Sequence, residues 1–308
     1  MRHLKDAMRF ANGRMTREAI VAAVSAAALL VLAACTHRPS IAPLPALGFH
    51  LDSAGAELVA DGITHRYLYS GDGPWAIHVL DARLDACTRV VAVKDAPVAA
   101  ARIRTSDMLR HLAAHTTVLG GVNGDFFSLA DGTPTGLLVV DGRRFTPPSS
   151  AAVLAVDSAG AAHIGPFTLA GPSLKPFFPR DAVGGRPVII RDSVMVPGID
   201  TANGAVFSTT RHPRTAAGIS RDGRRLILAV VDGRQKPFSD GMTLRELATL
   251  MLALGAHTAL NLDGGGSTTI LIADPKNAGA LRVANRPSDK EGERTVGDAV
   301  ALVRTCAP

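Results

Sequence analysis

Residues 243–269 read TLRELATLMLALGAHTALNLDGGGSTT. The Thr243 hydroxyl can cap the first turn of a helix while Glu246, three residues on, reaches back to the N–H of the capping residue, which is the capping-box pattern. Leu244, Leu247, Leu250, Met251 and Leu254 then recur at helical spacing. Gly255 is placed to end the helix, because glycine takes the left-handed conformation without a Cβ penalty. Ala256 to Leu262 follows as a buried strand delivering Asp263 at its C-terminal end, ahead of three glycines.

Outward from this unit, short apolar runs alternate with Gly, Pro or Asp-Gly turn signals: Trp75 to Leu80, Arg89 to Val93, Thr117 to Val122, Leu137 to Val140, Val153 to Val156, Val188 to Ile190 and Leu226 to Val231. Each is of strand length. Asp141-Gly142 and Asp222-Gly223 sit where tight type I′ hairpin turns would join antiparallel neighbours. A second helix is expected over Ser106 to His115, with Met108, Leu109 and Leu112 on one side. The fold class is therefore α/β in composition, of the α+β kind: a mixed, largely antiparallel β-sheet core with a few packed helices. No repeat and no boundary breaks the chain after about residue 50, so one domain is expected over residues 58–308.

The N-terminus has another character. Five basic residues, Arg2, Lys5, Arg9, Arg14 and Arg17, face two acidic ones, Asp6 and Glu18, so about +3 of the net charge of +6 lies ahead of the uncharged run Ala19 to Ala34. That run is short for a membrane-spanning helix of about 20 residues and ends in small residues, as a secretory signal peptide (1–34) does. Leu32-Ala33-Ala34-Cys35 resembles the bacterial lipobox, whose cysteine is lipidated. Thr36, Pro39, Pro43 and Pro45 suit an extended tether within the linker 35–57. The expected location is exported and lipid-anchored, membrane-bound through Cys35, and in a host with two membranes the outer membrane facing the periplasm. Of the three cysteines, Cys87 and Cys306 remain, as a disulfide or as two buried thiols. Local motifs name no cofactor and no metal site, and leave dependence on a divalent metal open. Basic residues are scattered and aromatics make up only 4% of the chain, so nothing recommends nucleic acid as a partner.

Four segments carry polar residues among glycines: Gly120 to Phe127, Arg211 to Gly218, Asn261 to Thr269, and Asn285 to Val296. Gly264, Gly265 and Gly266 after a strand could wrap an anion with backbone N–H groups, since residues lacking Cβ allow close approach. The loop is neither a Walker A loop nor a nucleophile elbow.

Taken together, Asn-Gly-x-Phe-Phe at Asn123, Thr-Pro-Thr-Gly-Leu at Thr133, Gly-Gly-Arg-Pro-Val at Gly184, Arg-Thr-Ala-Ala-Gly at Arg214, Val-Val-Asp-Gly-Arg at Val230, Gly-Met-Thr-Leu-Arg-Glu-Leu at Gly241, Asn-Leu-Asp-Gly-Gly-Gly-Ser-Thr-Thr at Asn261 and Glu-Arg-Thr-Val at Glu293 resemble the ordered motifs of the phosphodiester glycosidase family. The resemblance runs from roughly residue 70 to 305. It implies a hydrolase acting on the bond between a sugar's anomeric carbon and a phosphate, with a sugar phosphate or glycan as substrate.

Such a leaving group is already an anion, so charge stabilisation matters more than a strong acid. Arg214 and Arg294 are the candidates to bind phosphate, guanidinium being permanently charged and bidentate. Asp263, then Asp125, are the candidate carboxylates to act as nucleophile or to activate water. Asn123, Ser267 and Thr268 are candidate hydrogen-bonding groups to sugar or phosphate, and His212 stands beside Arg214. Two other functions fit the same residues: a non-catalytic envelope polysaccharide-binding lipoprotein, and a glycoside hydrolase or transglycosylase acting on a phosphate-free glycan.

Overall fold

The structure, a computed structural model, describes residues 41–170, 173–274, 277 and 279–306. The signal peptide, the lipobox and Cys35 lie outside the described residues.

Every strand pairing among the described residues is antiparallel, with three main sheets. The first sheet has eight strands, in the spatial order Ser53–Ala60, Ile63–Ser70, Trp75–Arg83, Arg225–Val231, Arg214–Ile219, Thr258–Asn261, Val188–Arg191 and Val194–Met195. The second runs Leu281–Val283, Ile270–Ala273, Thr117–Asn123, Ala299–Arg304 and Thr88–Val93. The third is built on Ala152–Val156 between Ala162–Pro166 and Asp181–Gly185. The first strand begins at Ser53, inside the segment expected as linker.

An antiparallel sheet with one solvated face would alternate apolar and polar residues; here the runs are apolar throughout because both faces are covered. Leu226, Leu228 and Val230 point into a core shared with Val122, Ile270 and Val300 of the second sheet and Leu154 and Val183 of the third. Their neighbours Ile227, Ala229 and Val231 point the other way, against Leu247, Leu250 and Met251. The second sheet is likewise two-sided: Val300 and Leu302 face the shared core, while Ala301 and Val303 pack with Met108 and Leu109. The layers are therefore helix, sheet, sheet, helix.

Among the described residues the three α-helices are α1 (Thr105–Ala113), α2 (Ala205–Thr209) and α3 (Leu244–Ala253). Helix α3 starts with both hydrogen bonds of the Thr243–Glu246 capping box and ends at Gly255, whose φ is +86°. Helix α1 has no side-chain cap at Arg104; the Glu293 carboxylate accepts from the Ser106 N–H instead. Asp141-Gly142 forms the expected tight hairpin, with φ of 45° and 75°. Asp222-Gly223 does not: only Gly223 has positive φ, and a longer loop joins Ile219 to Arg225, closed by Ser220 N–H donating to Arg225 O and Gly223 N–H to Ser220 O. Cys87 and Cys306, 219 residues apart, are joined as a disulfide that ties the end of the second sheet's last strand to its neighbour.

Candidate active site

Asp263 leaves the first sheet just after Thr258–Asn261, at the point where the first two sheets meet. Its N–H donates to Gly124 O beyond the end of Thr117–Asn123, and the preceding Leu262 N–H donates to Thr215 O. Asn123 fastens this junction. Its amide donates to the Asp263 carbonyl at 2.7 Å, and its carbonyl oxygen accepts from Thr215 Oγ1 at 2.8 Å and from the Thr269 N–H at 3.1 Å. With no exposed surface and its acceptor doubly used, Asn123 positions the strand ends instead of meeting a ligand directly. Asn123→Ala is accordingly expected to cost on the order of 3 kcal/mol, since it strands several buried polar groups at once. Denaturant unfolding checks this; a loss below about 1 kcal/mol with collapsed activity would restore Asn123 as a direct binder.

The Asp263 carboxylate opens onto a pocket of about 200 Å³ whose walls include Phe126, Phe207, His212, Arg214, Arg234 and Arg294. Its Oδ1 accepts from the Gly264 N–H at 2.9 Å. Burial pushes its pKa up to about 6, against the Ser267 hydroxyl, the Gly264 N–H and the charges of Arg294 and Arg186. The Ser267 hydroxyl forms no well-aligned hydrogen bond among the described residues, yet it favours the Asp263 anion. Above about pH 6 Asp263 is an anion at the edge of a cationic pocket.

Arg214 is the largest fully buried side chain of the described residues, 1% exposed at the start of its strand. Its Nε donates to Met242 O at 2.8 Å, one terminal nitrogen donates to Phe207 O and Thr210 O, and its guanidinium lies 4.6 Å from the centre of the Phe207 ring. Among the described residues the other terminal nitrogen has no partner and no carboxylate comes within ion-pairing distance; Glu246 is taken by Arg211 instead. Desolvation, reinforced by Arg234, lowers the Arg214 pKa to about 10, so it stays charged at neutral pH. A buried charge without a counter-ion is costly, and an anionic ligand would relieve it.

Arg234, at φ +59°, also makes no ion pair among the described residues; it reaches His212 Nδ1 at 3.4 Å and packs against Gly265. Burial, Arg214 and Arg234 all depress the His212 pKa, which favours its neutral form. Arg294 is held by Asp289 in a two-point pair, at 2.9 and 3.1 Å. Arg186, over the Phe126 ring at 4.6 Å, donates to Thr135 Oγ1. Arg234 and Arg186 escaped the sequence reading, although both stand in motifs quoted above; a lone arginine beside glycine or proline has the look of a turn.

Other expected site residues sit elsewhere. The Gly264 and Gly265 N–H groups are spent internally, on Asp263 Oδ1 and Pro213 O, so those two glycines do not cradle an anion. They are there for close approach: a Cβ on Gly266 would lie 2.2 Å from Asp289 Oδ1 and 2.3 Å from Arg294 Nη2, and one on Gly264 2.6 Å from Pro213 O. Ser267 and Thr268 are buried below the pocket floor, their hydroxyls without hydrogen-bond partners. Asp125, 1% exposed, lies behind the pocket; its Oδ2 accepts from the Gly136 N–H, and its own N–H donates to Asp298 Oδ1. Burial and mutual repulsion raise the pKa of Asp125, and burial that of Asp298. Of the two expected carboxylates, the pocket therefore receives only Asp263. Among the described residues no cluster of three or more His, Cys, Asp or Glu side chains is arranged to hold a metal ion.

A family model described as phosphodiester glycosidase matches residues 116–303. No curated protein sequence matches the chain significantly. Among solved structures, the zebrafish N-acetylglucosamine-1-phosphodiester alpha-N-acetylglucosaminidase catalytic domain, auto-inhibited by pro-peptide, superposes with a TM-score of 0.60 at 20% identity, over 87% of this chain and 85% of that one. A hypothetical protein from Synechocystis superposes with a TM-score of 0.66 at 14% identity over 82% of this chain; the match spans only 64% of that relative's length. A protein from Burkholderia pseudomallei follows with 0.57 at 20% identity, over 75% of this chain and 74% of its own. At these identities the likeness is one of fold.

Proposed function

Because the chain belongs to the phosphodiester glycosidase family, we propose that it hydrolyses a sugar phosphodiester by breaking the bond between the anomeric carbon and the phosphate oxygen. The observation that carries this reading is Arg214, buried without a counter-ion in the pocket that holds Asp263. The phosphate occupies the space before Arg214 and Arg234, where the unpartnered guanidinium nitrogens donate to its oxygens. The sugar ring packs against the wall formed by Phe126 and Phe207, whose rings touch each other with centroids 6.0 Å apart.

As the C–O bond lengthens, its electron pair stays with the phosphate, and the arginines stabilise that charge. Positive charge grows on the anomeric carbon, and ionised Asp263 stabilises it, as nucleophile or as the base that takes a proton from the incoming water. No acid is needed to protonate the leaving oxygen, which agrees with the single carboxylate in the pocket. Incubation with a panel of sugar-1-phosphodiesters, with released sugar read by mass, tests the reading; a protein that binds these compounds and releases no sugar would be a binding module instead.

The pH dependence follows from Asp263. Its ionised fraction rises tenfold per pH unit below its pKa of about 6, so kcat/KM is expected to climb with that slope and level off above pH 6. A rate that falls across this range would assign the essential group to an acid.

We also propose export and lipid anchoring at Cys35, with the domain on the periplasmic side of the outer membrane in a two-membrane host; the charged n-region and Leu32 to Cys35 support it. Cys35→Ala is expected to move the protein from the membrane fraction to the soluble one. Continued membrane binding after export would count against the anchor.

A further inference from the structure

A second cavity, of about 470 Å³, larger than the candidate active site, opens on the other side of the segment Asp232-Gly233-Arg234. Asp232 lines this cavity and Arg234 lines the first, and the Cα atoms of these two residues are at most about 7 Å apart. Tyr67 and His78 come from adjacent strands of the first sheet; Phe238 and Arg286 face them.

The hydrogen-bonding roles in this cavity are fixed from behind. Glu57 accepts from His65 Nδ1–H at 2.8 Å, which leaves His65 Nε2 to accept from His78 Nδ1–H at 3.1 Å. His78 Nε2, without a partner among the described residues, is thereby left as an acceptor. Burial drives the His78 pKa down to about 3, so the ring stays neutral. Asp232 is 1% exposed; its Oδ1 accepts from Asn285 Nδ2 and the Arg286 N–H, while Oδ2 shares only that last N–H and keeps accepting capacity. Among the described residues neither the Tyr67 hydroxyl nor the Arg286 guanidinium has a hydrogen-bond partner, and the guanidinium lies 5.5 Å from the centre of the Phe238 ring. None of these groups enters the mechanism above.

We propose that this cavity binds a neutral sugar unit, with Asp232 and His78 accepting from its hydroxyls, Tyr67 and Arg286 donating to them, and Phe238 meeting its apolar face. The mixture of donors and acceptors decides the class. A hydroxyl both donates and accepts, so a polyol satisfies such a lining group by group, whereas a phosphate brings negative charge to the buried Asp232 carboxylate and a phosphodiester's oxygens only accept. Arg282, the other cation here, is already paired with Glu57. In a glycan phosphodiester the sugar beyond the phosphate would reach this cavity; that placement rests on the function proposed above, while the binding itself does not.

The test is saturation-transfer NMR on the full-length protein with methyl glycosides of neutral hexoses and N-acetylhexosamines and their disaccharides, with inorganic phosphate as competitor. At least one neutral sugar is expected to bind at millimolar concentration and to resist displacement by phosphate. Tyr67→Phe, which removes one oxygen, and Phe238→Ala are each expected to weaken it about tenfold or more with the melting temperature unchanged. Binding is expected to persist in Asp263→Asn. Failure of every sugar to bind, displacement by phosphate, or equal binding to both cavity variants would overturn the proposal. Turnover of a phosphodiester without sugar binding removes only the cavity; sugar binding without turnover removes only the catalytic reading.

Discussion

Asp263→Asn is expected to lower turnover of a sugar phosphodiester by about 10² to 10⁴, the range for a positioned proton-transfer group and a floor for a nucleophile, without loss of fold. Asparagine keeps an oxygen to accept from the Gly264 N–H, so the glycine loop retains its anchor. The stability change separates a catalytic carboxylate from a structural one. In the folded protein the Asp263 pKa is raised from 3.8 to about 6, so the folded state holds a proton that the unfolded chain gives up. That contribution is fully present below about pH 4 and is lost as pH rises through 6. Above pH 6 the parent carries a charge that its fold disfavours, and the variant does not. The melting temperature of Asp263→Asn at pH 7.5 is therefore expected to equal or exceed that of the parent, with the difference shrinking below pH 4. A variant that melts several degrees lower yet turns over at nearly the parent rate would make Asp263 a loop anchor.

Arg214→Lys is expected to have the larger effect of the arginine changes, about 10² to 10³ in kcat/KM, comparable to removing a preorganised donor from a charge-stabilising site. Arg214 is fixed by donating to Met242 O, Phe207 O and Thr210 O, and it still presents a free nitrogen. A lysine has one nitrogen for all of these tasks. Because those carbonyls lose donors, stability falls as well, so the assay is run on protein shown to be folded. Inorganic phosphate is the second readout: it should raise the melting temperature of the parent and leave that of Arg214→Lys unmoved. Arg294→Lys should cost less than Arg214→Lys, because Asp289 already occupies one edge of that guanidinium. If Arg214→Lys keeps activity within a few-fold, the phosphate clamp belongs to Arg234 and Arg294.

The local grammar of the chain was legible. Helix α3, with its capping box and Gly255 stop, the Asp141-Gly142 turn and the apolar strands are all set by residues within a few positions of one another. What could not be read is which polar residue faces a pocket and which faces a neighbouring strand. Asn123 and Asp263 are 140 residues apart, and only their contact reveals that the amide is consumed in joining two sheets. Asp125 and Ser267 looked the same in sequence as Asp263: polar, beside glycine, near a strand end. Their burial is decided by distant partners, Asp298 for one and the packing beneath the glycine loop for the other. Arg214 raised the reverse problem. It stood in a segment with the composition of a loop, yet the segment is a central strand, and the arginine's isolation from any carboxylate emerges only when Arg211 is seen to hold Glu246.

The central claim is that the bond broken is the one from the anomeric carbon to oxygen, with the phosphate leaving as an anion held by arginine. Hydrolysis of a sugar phosphodiester in ¹⁸O-labelled water, with both products weighed by mass spectrometry, tests it at the atom concerned. The account predicts the label in the anomeric hydroxyl of the released sugar and none in the phosphate monoester. Label in the phosphate would mean attack at phosphorus, and would contradict the roles given to Asp263 and Arg214.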